Sequence, residues 1–336
     1  MRVLVTGATG YVGSHAAAEL VRSGHEVRVL VRSRERVATS LGPFGVSVPD
    51  VAVGDITDAT SVEAALTGCD TVVHAASVYS LDPRDAPMIA VTNVRGTEIV
   101  LGAAQRADID PIVYVSSYVG LLPSPGVLGP ESPVGQPTPP YARSKADSEV
   151  VARRYQEEGA PVVSVYPGSV WGPDDPYCGE SCHLLSGILR NRLPFAIRGG
   201  LPIADVRYVA AVLAAAVEPG KGPRRFMAGG HDTRWSDLFA SLRRLTGRRL
   251  PALPTPRPVA MAFGRLMDGV QRILPGKAPL AFEGIYIATQ DPRTDDARTA
   301  AELGVEAPPL EETLTDMIRW MVEAGRIPAR AAGKLG

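Results

Sequence analysis

The sequence predicts an α/β protein: a doubly wound parallel sheet with helices on both faces, followed by a smaller, mostly helical C-terminal part. Three observations carry that prediction. Short Val-rich runs alternate with helical segments over the first two thirds of the chain, the order that a parallel sheet with helical crossovers requires. A glycine-rich turn, Thr6-Gly-Ala-Thr-Gly-Tyr-Val-Gly13, follows the first of those runs. After about residue 170, proline and glycine become frequent and β-rich runs thin out.

Taken in order, strands are predicted at Arg2–Thr6, Glu26–Val31, Val48–Val53, Thr71–His74, Pro111–Val115 and Pro161–Tyr166. Between them, helical spacing of apolar residues marks Tyr11–Ser23, Thr60–Leu66, Ala86–Ala107 and Tyr141–Glu157. Crossovers of this kind are right-handed, and ligands bind beyond the carboxyl ends of the strands. Further on, helices are expected at Cys182–Asn191, Val206–Val217, Ser236–Thr246, Val259–Ile273, Ala281–Thr289, Asp295–Leu303 and Leu310–Glu323, with one strand at Arg224–Ala228. Residues 1–170 read as the sheet domain, with 201–228 contributing to it, and 171–336 as an interleaved covering region without a linker.

Composition sets limits. The chain has 336 residues, 45% of them apolar, enough for a large core. A net charge of −1 gives no bulk field to attract nucleic acid or an anionic membrane. No apolar run is long enough to span a bilayer, and Met1 leads straight into the first strand with no signal peptide. Three cysteines, Cys69, Cys178 and Cys182, are too few for a disulfide framework, which points to a reducing cytoplasm. Cys178, Cys182 and His183 make at most three ligands with no fourth nearby, so no metal site is expected.

The turn after the first strand raises the question of function. Gly7, Gly10 and Gly13 let the backbone bend sharply, let a phosphate approach the main chain, and let helix pack close on strand. The helix start then offers free N–H groups to an anion. A pyrophosphate seat is the reading. A second pattern, Tyr141-Ala-Arg-Ser-Lys145, puts a phenol and an ammonium on one helical face. A lysine beside a tyrosine favours the phenolate, which brings a phenol of ordinary pKa about 10 toward neutral-pH proton transfer. The chain holds only four lysines, so chance pairing is a small risk. Ser116 and Ser117 follow the fifth strand, where a hydroxyl can donate to a substrate oxygen.

With these motifs in order, the sequence resembles the extended short-chain dehydrogenase/reductase family. That family includes nucleotide-sugar epimerases, dihydroflavonol and cinnamoyl-CoA reductases, and 3β-hydroxysteroid dehydrogenases. Thr6–Gly13 looks like its TGxxGxxG fingerprint, Gly54-Asp55-Ile56 its adenine-contacting segment, and His74-Ala75-Ala76-Ser77 its fourth-strand cofactor motif. Asn93–Thr97 is similar to its structural Asn segment, and Tyr166-Pro167-Gly168-Ser169-Val170 to the segment flanking the nicotinamide. The resemblance covers residues 1 to about 217.

The resemblance implies a Rossmann fold and hydride transfer to or from a nicotinamide. Tyr141 would move the proton, Lys145 would lower its pKa and hold the ribose, and Ser117, preferred over Ser116, would orient the substrate oxygen. Cofactor contacts would come from Gly7, Thr9, Gly10, Tyr11, Val12 and Gly13, from Asp55 and Ile56, and from Ala75, Ala76 and Ser77. Asn93, Ser116, Tyr141, Lys145, Tyr166, Pro167, Gly168 and Val170 complete the set.

The cofactor is read from the end of the second strand. NAD binders usually place Asp or Glu there for the ribose 2′-hydroxyl. Here Val31 holds that position and Arg32 follows, with Arg34 in reserve. A guanidinium clamps a 2′-phosphate through paired N–H donors, so NADP is expected, with NAD the alternative. Tyr118-Val119 stand where the family's sugar dehydratases carry an acidic pair, which argues against dehydration. Val31-Arg32 argues against an epimerase. An NADP(H)-linked reductase or alcohol dehydrogenase remains.

The rivals are an NAD-dependent nucleotide-sugar epimerase and a non-catalytic dinucleotide sensor, and intact Tyr141 and Lys145 weigh against the sensor. Tyr208 replaces the Asp of the family's V-x-D-V-A segment, which disfavours a sugar-nucleotide geometry. The substrate is expected to be a small molecule, a bulky and fairly apolar carbonyl or secondary alcohol. The stretch Pro258–Ile273 is amphipathic, with Met261, Phe263, Leu266, Met267, Val270 and Ile273 on one face and Arg257, Arg265 and Arg272 flanking it. A lid, a helix lying on a membrane surface and plain packing on the main domain all fit it. Monomer and homodimer are both open, and a dimer would use the helices 86–107 and 141–157.

Overall fold

The structure, a computed structural model, describes residues 1–124, 126–273 and 282–336; of residues 83 and 271–273 it describes the backbone alone. The first half runs β1 (Arg2–Thr6), α1 (Tyr11–Arg22), β2 (Glu26–Val31), α2 (Glu35–Leu41), β3 (Asp50–Val53), α3 (Ala59–Leu66), β4 (Thr71–His74), α4 (Ala86–Ala90), α5 (Gly96–Arg106), β5 (Ile112–Val115), β6 (Val127–Leu128), α6 (Pro140–Glu157) and β7 (Val162–Pro167). It continues through β8 (Ser169–Trp171), α7 (Glu180–Leu189), β9 (Phe195–Ile197), β10 (Gly200–Asp205), α8 (Val206–Ala215), β11 (Arg224–Ala228), β12 (His231–Arg234), α9 (Trp235–Thr246) and β13 (Leu253–Thr255). Then come α10 (Arg257–Ile273), α11 (Phe282–Ala288), β14 (Arg293–Thr294), α12 (Ala297–Leu303), α13 (Leu310–Glu323) and α14 (Ala329–Ala332).

Seven strands form one sheet in the order β11-β7-β5-β4-β1-β2-β3, every neighbouring pair parallel. The order reverses between β1 and β4, which opens the crevice where doubly wound sheets take their ligands. The strands read as continuous Val and Ile because both faces are covered. On one face α1 and α8 bury Ala16, Ala17, Leu20, Val209 and Leu213 against the sheet. On the other, α3, α5 and α6 enclose Val62, Leu66, Val100, Leu101 and Ala152. Each fully buried aliphatic side chain contributes about 1.5–3 kcal/mol relative to exposure.

Expectation and structure part in three places. The helix expected at Ala86–Ala107 is broken: a π-helical turn at Val91–Arg95 separates α4 from α5. Helix α2 falls in the Arg-rich loop Glu35–Leu41, where no helix was expected. Beyond residue 170 strands are not scarce. Two small sheets form there, β12-β10-β8 and β13-β9, and β14 pairs back with β6 at Val127–Leu128, all from runs too short or too proline-rich to signal a strand alone. Ala281, the expected start of a helix, lies outside the described residues, as do the side chains of Arg272 and Ile273.

Cys178 and Cys182 form a disulfide with Cα atoms 5.1 Å apart at the start of α7, and Cys69 is the free, buried thiol. One bridge between residues four apart, with the third cysteine free, is not a disulfide framework. Both sulfurs are taken up in that bond, and no group of three metal-ligating side chains occurs among the described residues. Likewise, no helix among the described residues is long and apolar enough to cross a membrane.

Candidate active site

The glycine turn behaves as its spacing requires. Gly7 adopts φ +76°, and a Cβ there would lie 2.6 Å from the Ala76 amide nitrogen. A Cβ on Gly13 would lie 2.2 Å from the Gly7 carbonyl oxygen. Both clashes are with backbone, so no side chain can be accommodated without moving β1, β4 or α1. Gly10 caps α1 with no side-chain hydrogen bond, and the first turn holds no acid. The orphan N–H groups of α1 thus face an open cradle, and the residues present fit a dinucleotide.

Around this cradle the predicted residues fall into two groups. Thr9 lies beneath it, its carbonyl accepting from Ser40 Oγ at 3.1 Å, and Val12 packs into the core on the α1 side. Tyr11 is pinned inward: its buried hydroxyl has no hydrogen-bond partner, and its ring stands edge-on to His15. Burial pushes His15 down to about 4 and keeps it neutral. Ala75 and Ala76 follow β4, with the Ala76 amide donating to Thr6 Oγ1 at 3.2 Å, and Ser77 continues that loop.

Asp55 accepts from the Thr57 amide at 2.9 Å and its hydroxyl at 2.7 Å, bonds that hold its carboxyl below the ordinary range. Ile56 packs against Gly96, where a Cβ would lie 2.5 Å from its Cδ1. At the end of β2, Arg34 donates to the Val51 carbonyl at 2.8 Å, whereas exposed Arg32 has no hydrogen-bond or ion-pair partner among the described residues.

Asn93, read from the sequence as a cofactor contact, is a strut. It accepts from the Val78 amide at 2.7 Å and spends both N–H donors, on the Val78 carbonyl at 3.1 Å and on Ser144 Oγ at 3.0 Å. It ties the loop after β4 to α6 from within the π turn. Such turns often sit at functional sites.

The two serines after β5 take separate roles. Ser116 Oγ donates inward to Glu149 Oε2 at 2.8 Å. Ser117 caps the following 3₁₀ turn, its hydroxyl accepting from the Val119 amide, and its nearness works to lower the Tyr141 phenol's pKa. Burial, with Glu283 next in weight, overrides it and holds the Tyr141 phenol well above its ordinary value. The expected depression by Lys145 is not what this geometry provides. Lys145 Nζ donates to the Val115 carbonyl at 3.2 Å, and burial pulls its own pKa down to about 8 against the opposing pull of Glu149. The Tyr79 ring, half exposed, lies over the Tyr141 ring at 4.7 Å.

Four side chains that the sequence reading did not single out for the site complete it. Tyr79 is one. Fully buried Glu149 is the second, accepting from Ser116, from the Tyr166 hydroxyl at 2.6 Å and from Arg153 Nε at 2.9 Å. One more helical turn from Lys145 would have found it. Tyr166 therefore points its hydroxyl into this network, and only its backbone, with Pro167, Gly168 and half-buried Val170, runs past the end of the sheet. A Cβ on Gly168 would lie 2.4 Å from the Gly229 carbonyl oxygen.

His74, the third, bonds to Thr6 Oγ1 through Nδ1 at 2.7 Å and is pushed by burial to about 3, hence neutral. Glu283 on α11 is the fourth. Its carboxylate accepts from the Ala142 amide at 2.7 Å and the Tyr141 amide at 3.2 Å, capping α6 from a segment far away in sequence. Burial outweighs those bonds and raises it to about 7. Tyr208, where the family has Asp, reaches Asp296 Oδ2 at 2.9 Å, so a carboxylate from α12's cap meets α8 after all.

The Tyr141 phenol and the Ser117 hydroxyl thus come together at the end of a parallel sheet, beside a glycine cradle. The model of the NAD dependent epimerase/dehydratase family matches residues 3–217. A ketoreductase of Stigmatella aurantiaca acting on a 4-farnesyl-3-oxo-dihydroquinoline-1-oxide is 29% identical over 98% of this chain and all of its own. The 3 beta-hydroxysteroid dehydrogenase/Delta 5-->4-isomerase of Mycobacterium tuberculosis is 29% identical over 96% of this chain and 90% of its own.

Among solved structures, that of gox2253 superposes with TM-score 0.80 at 30% identity, covering 97% of this chain and 99% of its own. UDP-glucose-4-epimerase from Stenotrophomonas maltophila, with bound NAD, shares the fold at TM-score 0.73 and 20% identity over 97% of this chain and 99% of its own. The chain belongs to the NAD-dependent epimerase/dehydratase family, within the extended short-chain dehydrogenases/reductases.

Proposed function

We propose that this protein is an NADPH-dependent reductase of bulky, apolar ketones or aldehydes, reversible toward the matching secondary alcohols. Arg32 carries the reading. Among the described residues it has no hydrogen-bond or ion-pair partner, only a through-space pull on Asp55, and it stands at the end of β2, where a ribose 2′-phosphate would lie and where an NAD binder would carry an acid. Arg34 is spent on Val51, and Asp55 is turned to Thr57. The substrate side is apolar: Tyr118, Leu121, Leu122, Ile89 and half-buried Tyr286 cluster with Tyr141. The farnesyl-bearing and steroid substrates named for two relatives are of that kind.

Bound NADPH supplies the hydride. Tyr141, protonated throughout neutral pH, donates its phenol proton to the carbonyl oxygen as charge develops there, and Ser117 holds that oxygen in place. Below pH about 8 the Lys145 ammonium adds positive charge beneath the site. A homodimer through the α4–α5 and α6 surfaces is part of the reading, because Met88, Val91 and Val150 leave apolar surface exposed there.

The test is calorimetric titration with NADP(H) and NAD(H), on wild type and on Arg32→Ala. NADP(H) should bind at least about tenfold tighter, roughly 1.4 kcal/mol, and the variant should erase the gap. NAD that copurifies, with turnover of a nucleotide sugar, would replace this reading with an NAD-dependent epimerase.

A further inference from the structure

Helix α10 turns the wrong face outward for a packed helix. Its inner side is narrow. Ala260 is buried, and Gly264 lets α11 approach so closely that a Cβ there would lie 2.9 Å from the Phe282 Cα. Asp268 is drawn in as well, accepting from the Phe282 amide at 2.9 Å. The outer side carries Val259 at 59% exposure, Phe263 at 38%, Leu266 at 62% and Val270 at 36%. These positions, at spacings of three and four, form one stripe along the helix. Leu253 of β13, 56% exposed, extends it, and Phe195 of β9, paired with β13, lies 6.2 Å from Phe263 between ring centroids.

The charge around the stripe is one-sided. From Leu238 to Val270 the chain carries six basic residues and a single acid, Asp268, within a protein of net charge −1. From Ser181 to Ala204, the segment that pairing of β9 with β13 brings alongside, there are three arginines and no acid. Several of these cations are committed: Arg243 to the Leu250 carbonyl, Arg244 to Glu311, and Arg248 to carbonyls of Leu189 and Ala331. Arg192, Arg198, Arg249 and Arg257 are exposed with no ion-pair partner among the described residues. Exposed Arg265 rests its guanidinium over the Phe282 ring at 5.0 Å. The acids on the neighbouring turn Pro83–Asp85 are engaged, Asp82 with Arg84 and Asp85 with Ser80.

We propose that α10 docks this protein in the plane of an anionic lipid surface. An exposed apolar stripe on a helix too polar to span a bilayer, set in a basic stretch of chain, is the pattern of an interfacial helix. The acyl boundary takes up Val259, Phe263, Leu266 and Val270, while the exposed guanidinium groups around the stripe meet lipid phosphates. A second copy of the chain does not fit the stripe, because two-fold pairing would set one basic face against another. The inference stands on this surface alone, whatever the substrate.

The test is co-sedimentation with vesicles of pure phosphatidylcholine, and of phosphatidylcholine with about one third phosphatidylglycerol, near 0.05 M salt, where surface charge is weakly screened. The wild type should partition at least about tenfold more onto the anionic vesicles, and several-fold less at about 0.5 M salt. The pair Val259→Asp with Leu266→Asp, and separately Arg257→Glu with Arg265→Glu, should each lower partitioning at least about tenfold. Thermal melts should show the variants folded, since all four side chains are exposed. Equal partitioning onto both vesicles, or anionic binding unaltered in Val259→Asp/Leu266→Asp, would overturn the proposal. So would a wild-type dimer that this double variant dissolves in sedimentation velocity, or retention on an acidic protein alone without vesicle binding.

Discussion

Tyr141 and Lys145 form a pair whose protonation is set by burial more than by each other. The phenol is held high, so in the proposed reduction it would start out carrying the proton to be given. Replacing it with phenylalanine should lower kcat for NADPH-linked reduction by about 10²–10⁴ while calorimetry still detects cofactor binding. Lys145 sits near 8, below its ordinary value. Its charge is present below that pH and lost above it. The rate of reduction should therefore fall as pH rises past about 8, and Lys145→Met should flatten that limb of the profile. Glu149 holds Arg153 and two hydroxyls in the same interior, so Glu149→Leu should cost about 3–5 kcal/mol in urea unfolding by leaving Arg153 unpaired. The tyrosine, the lysine and the serine were legible because their chemistry is written in local spacing. Glu149 and His74 were not singled out, because a lone acid or histidine within an element has no meaning until its buried partners are known.

At the scale of elements, α1 and α6 present their N-termini to the site in opposite ways. Helix α1 is left uncapped for an anion, and the Gly7–Gly13 contact fixes its approach. Gly13→Ala should abolish measurable dinucleotide binding in the same titration, since the new methyl meets backbone and not a movable side chain. Helix α6 is capped by Glu283, which no local pattern announces because its partner lies more than a hundred residues away. Its raised pKa has a defined sign. Between about 4.5 and 7 the folded state holds the proton more tightly than the unfolded chain, so the stability it confers is full at the acid end and is lost as pH rises through 7. Relative to Glu283→Gln, the wild-type melting temperature should fall progressively from pH 5 to 8. The π turn at Val91–Arg95 escaped the sequence for a related reason. The helical period of Ala86–Ala107 is nearly unbroken, and only the Asn93 bonds to the β4 loop and α6 make the extra residue worthwhile.

For the whole molecule, the alternation of strand and helix made the seven-stranded sheet readable almost to the residue. The small sheets and the disulfide were not, because each depends on segments that meet only after folding. One free thiol per chain should react after denaturation without reductant, and three with it. The path of the chain has a further consequence. After β7 it leaves the central sheet, builds β8, α7, β9 and β10, and then returns with α8 against α1 and β11 beside β7. It leaves again for the rest of the covering region. A chain threaded back and forth in this way offers no single joint at which genetic recombination could exchange one half for another.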